Sequence, residues 1–165
     1  EPLQLEGLVA EVADDCRIEA TAKDCSLGVI HADPVEVLGN AELLRRAVEN
    51  VVRNAIRYAP RGTTVEISLS RLPGSAELRV RDYGPGVPDA HLNRIFDPFY
   101  RVDSDRGRTS GGVGLGLSIT RRAVELHGGK VSAKNVSPGL EVTITLPSVS
   151  LEHADAGGQG KEAVG

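Results

Sequence analysis

The chain has 165 residues, which is enough for one domain with a substantial core. Its net charge of −4 argues against a nucleic-acid-binding surface, because phosphate backbones require a basic face. Aromatic residues make up only 3% of the chain, so the core is expected to consist of Val, Leu, Ile and Ala. No apolar run approaches the length of a membrane span, and we expect no membrane contact by this segment. Cys16 and Cys25 match no metal-ligand spacing and are expected to be buried thiols.

The first part of the chain has the spacing of two helices separated by a strand. Apolar residues recur at helical intervals over 4–22, which predicts an amphipathic helix. The short apolar run 26–30 indicates a strand. A second helix is expected over about 40–59, and Pro60-Arg-Gly62 ends it.

The second part alternates as strands do. Residues 65–69 and 76–80 alternate apolar and polar side chains, and 130–134 with 140–146 is typical of a closing hairpin. These elements predict an α/β fold, a two-layer α+β sandwich in which a mixed sheet carries about three helices on one face.

Two further helices are expected between those pairs of strands. One is a short helix near 89–95. The other runs over 114–127, and its inward side chains are expected to be Leu115, Ile119, Ala123 and Leu126.

Two glycine clusters bracket the stretch from Asp82 to Leu117. The first is Asp82-Tyr-Gly-Pro-Gly-Val87 and the second is Gly112-Val-Gly-Leu-Gly-Leu117. Bare backbone N–H groups that lead into a helix form an anion site, and phosphate is its usual occupant. On its own, the second cluster fits a flexible surface loop equally well.

The second predicted helix carries two asparagines on one face. Asn50 and Asn54 are four residues apart, and Arg57 and Tyr58 lie one turn further on. Solvated surface asparagines are the simpler interpretation. An amide oxygen is also a suitable ligand for Mg²⁺, which takes one or two protein oxygens together with phosphates. Beside a phosphate-binding loop, this helix predicts a magnesium-nucleotide site.

Other nucleotide motifs are missing from the sequence. No G-x-x-x-x-G-K-[ST] occurs, since Val131 follows Gly129-Lys130. Neither glycine cluster satisfies G-x-G-x-x-G. Asp82-Tyr-Gly84 imitates the D-F-G of protein kinases, but no H-R-D precedes it.

Four segments together resemble the N, G1, F and G2 boxes of sensor histidine kinases, in the order of that family. They are Glu49–Tyr58, Asp82–Gly86, Phe96–Arg101 and Gly112–Leu117. The resemblance covers about 3–147. It implies the catalytic ATP-binding domain of the gyrase/Hsp90/histidine kinase/MutL superfamily, with the Bergerat fold and with ATP and Mg²⁺ as cofactors.

The resemblance also implies a role for each matched residue. Asp82 is expected to accept a hydrogen bond from the adenine amine, with Gly84, Gly86 and Val87 beneath the base. Asn54 is expected to bind Mg²⁺, and Asn50 to line the triphosphate.

The remaining contacts are expected at the phosphates and at a lid over 102–111. Arg57 and Arg101 are expected at the phosphates, Tyr58 beside the nucleotide, and Phe96 with Phe99 at the base of the lid. The expected catalytic residues are Asn50, Asn54, Arg57 and Arg101. The expected phosphate cradle consists of Gly112, Val113, Gly114, Leu115, Gly116 and Leu117.

Two positions depart from related sequences. Leu140 lies where the family often has a small hydroxyl residue near the purine, so no base contact is expected from that strand. Asn50 matches the position of a water-activating Glu in the ATPase branches. Because Asn cannot act as a base, transfer to an external acceptor is favoured over hydrolysis, although Glu49 is adjacent.

No histidine of the chain lies in the context of a phosphoacceptor. The acceptor is therefore expected upstream, on a dimerisation domain, with 1–5 as the end of the connecting linker, 6–148 as the catalytic domain and 149–165 as a disordered tail. The expected partners are that domain and a response regulator. The parent is expected to be a homodimer in the bacterial cell membrane, with this domain in the cytoplasm.

Two other functions remain possible on the sequence alone. One is a different ATPase or a serine kinase on the same fold, of the anti-sigma or chaperone type. The other is an interaction module that no longer binds nucleotide, against which the presence of all four boxes argues.

Overall fold

The computed structural model describes residues 1–100 and 116–149. In these residues, three α-helices and seven β-strands follow one another along the chain. The elements are β1 Pro2–Gln4, α1 Leu5–Ala22, β2 Ser26–Ala32, β3 Glu36–Leu38, α2 Ala41–Tyr58, β4 Thr64–Leu72, β5 Ser75–Arg81, α3 Gly116–Leu126, β6 Lys130–Asn135 and β7 Leu140–Pro147.

The main sheet is mixed, as the alternating pattern predicts. Its strand order is β2-β4-β5-β7-β6, with β2 parallel to β4 and every other pair antiparallel. Ile67 lies opposite Val80, and Val80 lies opposite Val142, so the apolar residues of three strands meet on one face. This face is buried and forms the floor of the core.

The helices cover that face. The apolar stripe of α2, which recurs at helical intervals, is buried at Leu44, Val48, Val51 and Ala55. Asn40 begins the helix, because its side-chain oxygen accepts a hydrogen bond from the Leu43 amide at 2.9 Å. The predicted fold class is therefore confirmed.

The orientation predicted for α3 is wrong at two positions. Ile119 and Leu126 are 41% and 64% exposed, whereas Leu117, Thr120 and Val124 face the core. The hydroxyl of Thr120 donates to the Ala47 carbonyl at 2.8 Å, which makes a polar residue suitable for full burial. Apolar character alone therefore indicated the wrong face.

One further prediction needs correction. The short helix expected near 89–95 is only a 3-10 turn, Asp89–His91, followed by other turns. Within the range 1–5, which the sequence predicts to be the end of a linker, β1 pairs antiparallel with β3, and Leu5 is buried in the core. Three-residue strands carry no detectable alternation, so neither β1 nor β3 was predicted.

Candidate functional site

Asp82 is a buried carboxylate at the end of β5. It is 3% exposed, and its Oδ1 accepts a hydrogen bond from the Gly84 amide at 2.8 Å. Its own amide donates to the Leu140 carbonyl at 3.0 Å. Burial raises the pKa of Asp82, although hydrogen bonding to the carboxylate by the backbone of Gly84 and of Leu140 opposes that shift. A carboxylate has about four acceptor sites, so Asp82 retains capacity for further donors.

The two glycines after Asp82 are required by close contacts. A Cβ on Gly84 would lie 2.3 Å from the Tyr58 carbonyl oxygen, so this glycine lets the loop meet the end of α2. Gly86 has a φ of +74°, and a Cβ there would lie 2.5 Å from Oδ1 of Asn135. Both glycines therefore shape the loop that carries Asp82.

The predicted residues of α2 lie along one side of that helix. Asn50 and Asn54 are half-buried, Arg57 is exposed, and Tyr58 is 36% exposed. Nδ2 of Asn50 is buried and has no hydrogen-bond partner among the described residues. An unpaired buried amide donor is costly, and a phosphate oxygen is an acceptor that would satisfy it.

The described start of α3 lies against Asn50. A Cβ on Gly116 would be 3.8 Å from Cβ and Cγ of Asn50. Leu117 is buried in the core, so only its backbone is available to a ligand. Thr120 holds this helix to α2 through Ala47. Sequence reasoning missed Thr120, because its burial depends on the Ala47 carbonyl of another helix.

These contacts place two parts of the predicted site at two points along one helix. Tyr58, the last residue of α2, meets Gly84 and the Asp82 loop, while Asn50, in the middle of α2, meets Gly116. Eight residues of helix separate Asn50 from Tyr58, or about 12 Å. A nucleotide that carries two or three phosphates can span this length.

The residues of the predicted F box differ in burial. Phe96 is 4% exposed and belongs to the core, whereas Phe99 is 68% exposed. Phe99 also has a φ of +67°, which is unusual for a bulky residue. Next to it, the Tyr100 hydroxyl contacts Nδ1 of His91, and the two rings meet edge to face at 5.6 Å.

Several predicted site residues lie outside the described residues. They are Arg101, Gly112, Val113, Gly114 and Leu115, together with the predicted lid 102–111.

Asn135 was not predicted from the sequence, yet it contacts the loop at Val87. Its Oδ1 accepts from the Val87 amide at 3.0 Å, and its Nδ2 donates to the Val87 carbonyl at 2.6 Å. Val87 itself packs against the core. No sequence signal distinguishes this asparagine from a solvated residue at the end of a strand.

Acidic and soft metal ligands do not cluster in this part of the molecule. Within 1–100 and 116–149, no group of three or more His, Cys, Asp or Glu side chains could hold a metal ion. A cation at this site would therefore depend on amide oxygens and on the ligand's own oxygens, the combination that suits Mg²⁺.

A helix-covered mixed sheet with a buried aspartate at one end of α2 and an asparagine pair along it defines a nucleotide-binding domain. The family model described as histidine kinase-, DNA gyrase B- and HSP90-like ATPase matches residues 39–150. The chain belongs to this family, and its fold is that of the catalytic domains of histidine kinases.

The similar proteins are sensor histidine kinases. The sensor histidine kinase CpxA of Escherichia coli strain K12 is 40% identical over 150 residues, 89% of this chain and 32% of that protein. The structure of the mycobacterial sensor histidine kinase MprB has a TM-score of 0.82 and 32% identity, covering 90% of this chain and 98% of that one. Full-length ShkA in complex with AMPPNP has a TM-score of 0.77 and 28% identity, covering 90% of this chain and 31% of that one.

The chain spans about a third of the length of CpxA, 32%. Among the residues that the structure describes, no helix has the length and apolarity needed to cross a bilayer.

Proposed function

We propose that this chain is the catalytic ATP-binding domain of a sensor histidine kinase. It binds Mg-ATP and presents the γ-phosphoryl group to a histidine on a separate dimerisation domain. The observation that carries the proposal is Asp82, a carboxylate 3% exposed that lies where the loop 84–87 meets α2.

Asp82 supplies recognition of the base. Adenine has an exocyclic amine that donates to a carboxylate, whereas guanine presents a carbonyl at the same place. A buried carboxylate opposite that carbonyl would be left unpaired, which costs about 1–3 kcal/mol or more for a charged group. The site therefore selects adenine nucleotides.

The phosphates lie toward the middle of α2. The unpaired Nδ2 of Asn50 donates to a phosphate oxygen, and Gly116 leaves room beside it. Asn54, one turn along, offers an amide oxygen to Mg²⁺. When bound, Mg²⁺ neutralises charge that develops on the transferred phosphoryl group. Arg57 lies on the following turn and adds positive charge to the same side.

Phosphoryl transfer is favoured over hydrolysis because, among the residues that the structure describes, no base is directed toward the proposed phosphate position beside Asn50. An asparagine at position 50 cannot remove a proton from water. Glu49 is only partly exposed and forms an ion pair with Arg53 at 3.9 Å, so its carboxylate is directed along the α1 side of the helix. The acceptor histidine belongs to the parent protein, which we propose is a homodimer in the bacterial cell membrane, and a response regulator is its partner.

The direct test is calorimetric titration of the chain with a non-hydrolysable ATP analogue, with and without Mg²⁺, and with the matching GTP analogue. We expect binding of the adenine analogue, strengthened by Mg²⁺, and much weaker binding of the guanine analogue. Asn54→Ala should remove most of the Mg²⁺ dependence. Arg53→Ala is the matched control, because Arg53 pairs with Glu19 of α1 at 3.3 Å and should leave affinity unchanged.

A second experiment tests the reaction. The chain is mixed with labelled ATP and a dimerisation domain that carries the acceptor histidine. Acid-labile phosphohistidine on that domain supports the proposal. Acid-stable phosphoserine, or release of free phosphate alone, would contradict it and favour a serine kinase or an ATPase.

A further inference from the structure

We propose that Asn135 is a positioning residue of the nucleotide site, although it belongs to none of the four boxes. Its side-chain amide holds the loop 84–89 in the conformation in which Asp82 meets the base. The inference rests on the proposed function, since it assigns a role within the same site.

The first support is the pairing geometry. Oδ1 of Asn135 accepts from the Val87 amide at 3.0 Å, and Nδ2 donates to the Val87 carbonyl at 2.6 Å. The same Nδ2 donates to Oδ1 of Asp89 at 2.8 Å. The side chain thus pairs with the loop backbone as a neighbouring strand would, and both of its donors are used.

The second support is the fit between Asn135 and Gly86. A Cβ on Gly86 would lie 2.5 Å from Oδ1 of Asn135, and Gly86 has a φ of +74°. The left-handed turn at Gly86 and the amide of Asn135 therefore occupy adjoining space. A loop without the amide would lose the contact that selects this turn.

The third support is that one end of the β6–β7 hairpin contacts the loop at two points. Asn135 ends β6 opposite Leu140 of β7, and the Leu140 carbonyl accepts from the Asp82 amide at 3.0 Å. Asn135 holds Val87, five residues after Asp82. Both ends of the base-binding loop are thereby attached to the same pair of facing residues, and a loop held in its binding conformation loses less entropy when ligand binds.

The chemistry is specific to asparagine. Aspartate at position 135 would keep the acceptor for the Val87 amide. It would, however, place a carboxylate oxygen against the Val87 carbonyl and beside the Asp89 carboxylate, so that two donors are lost and two like charges meet. This substitution preserves the shape of the side chain but replaces its amide donor with an acceptor oxygen.

The test compares four proteins: the unmodified chain, Asn135→Asp, Asn135→Asp with Asp89→Asn, and Ser132→Asp. Ser132 is the matched control, because it is exposed on the same strand and its substitution adds the same charge away from the loop. Affinity for a fluorescent ADP analogue is measured by anisotropy, and folding is measured by thermal melting followed by circular dichroism. Hydrogen exchange at the Val87 amide is measured without nucleotide.

We expect Asn135→Asp to remain folded and to lose about tenfold or more in affinity, the effect of one or two lost buried hydrogen bonds. Exchange at Val87 should accelerate. The double variant should recover part of the affinity, because the amide introduced at position 89 can donate to the carboxylate introduced at position 135. Ser132→Asp should match the unmodified chain.

Three results would overturn the inference. Equal affinity of Asn135→Asp and the unmodified chain would refute the role of Asn135 and leave the proposed function intact. An affinity loss without recovery in the double variant, together with a much lower melting temperature, would mean that Asn135 serves the fold alone. An unmodified chain that binds no adenine nucleotide would refute the proposed function itself, and this inference with it.

Discussion

Asp82→Asn should weaken nucleotide binding and stabilise the nucleotide-free domain at neutral pH. The substitution keeps the shape of the side chain and the acceptor for the Gly84 amide, which Oδ1 contacts at 2.8 Å. It removes the charge and replaces the second carboxylate oxygen with an amide donor. The two effects have opposite signs because the charge strengthens the hydrogen bond to the ligand, whereas its burial destabilises the folded domain.

The loss in affinity follows from the change in hydrogen bonding. A hydrogen bond to a charged group contributes about 1.5–3 kcal/mol, and a neutral one about 0.5–1.5 kcal/mol. The difference of about 1–1.5 kcal/mol corresponds to a loss of roughly 5–10-fold in affinity. Asp82→Ala, which also leaves the Gly84 amide without its acceptor, should bind still more weakly.

The gain in stability follows from the raised pKa of Asp82, whose main cause is burial. At a pH below the ordinary pKa of an aspartate, the carboxyl is protonated in both the folded and the unfolded chain. Its burial then does not destabilise the folded state through desolvation of a charge. As pH rises through the folded pKa, the unfolded chain releases its proton more readily, and stability falls. At neutral pH the Asn variant avoids this cost, so it should be more stable than the unmodified chain.

The assay is urea denaturation without nucleotide at pH 4 and at pH 7, together with calorimetric titration of an ATP analogue at pH 7. The advantage of Asp82→Asn should be present at pH 7 and should shrink toward pH 4. Asp33→Asn is the control at the opposite end of the sheet. The backbone amide of Arg71 donates to Asp33 at 2.8 Å and lowers its pKa, so its neutralisation should not stabilise the domain. Unchanged affinity, or a less stable Asp82→Asn at pH 7, would refute the reasoning.

Three further outcomes are expected. Gly139→Ala should prevent folding or destabilise the domain severely in urea titration, because Gly139 has a φ of +106° and a Cβ there would overlap the Asp82 carbonyl; near-native stability would contradict this. Thr120→Val should cost about 0.5–1.5 kcal/mol in the same assay, whereas Thr120→Ser, which keeps the hydroxyl, should keep the helix contact. Burial raises the pKa of Cys16 to about 11, so its alkylation at pH 8 should be no faster than unfolding, and rapid labelling of the native protein would contradict the burial.

The sequence predicts best the elements whose side chains repeat with a clear period. In β4 and β7, every second residue is apolar and buried, and the alternation located both strands and their inner face. The helix α2 was predicted to within one residue at each end, because Asn40 and Pro60 mark its limits. The periodicity shows which side chains are buried, because each of these elements packs one face against the same core.

The orientation of α3 could not be obtained in this way. Leu126 and Ile119 are exposed, while Thr120 is fully buried, so hydrophobicity ranks these residues in the wrong order. The burial of Thr120 depends on a carbonyl of another helix, Ala47, and that acceptor is known only once the two helices are packed. A polar residue at an internal position is therefore the weak point of a prediction based on patterns.

The candidate site was likewise predicted only in part from the sequence. The matched boxes indicated Asp82, Gly84 and Gly86, but they do not explain why Gly86 must be glycine. The reasons are the φ of +74° at Gly86 and Asn135, whose amide occupies the space that a Cβ would need. The loop that we propose binds the base is therefore completed by the hairpin end, where Leu140 and Gly139 also contact Asp82. These residues lie about 50 positions downstream of the loop, so the boxes alone do not indicate them. Because they contact the loop, substitutions at the turn between β6 and β7 should alter nucleotide affinity.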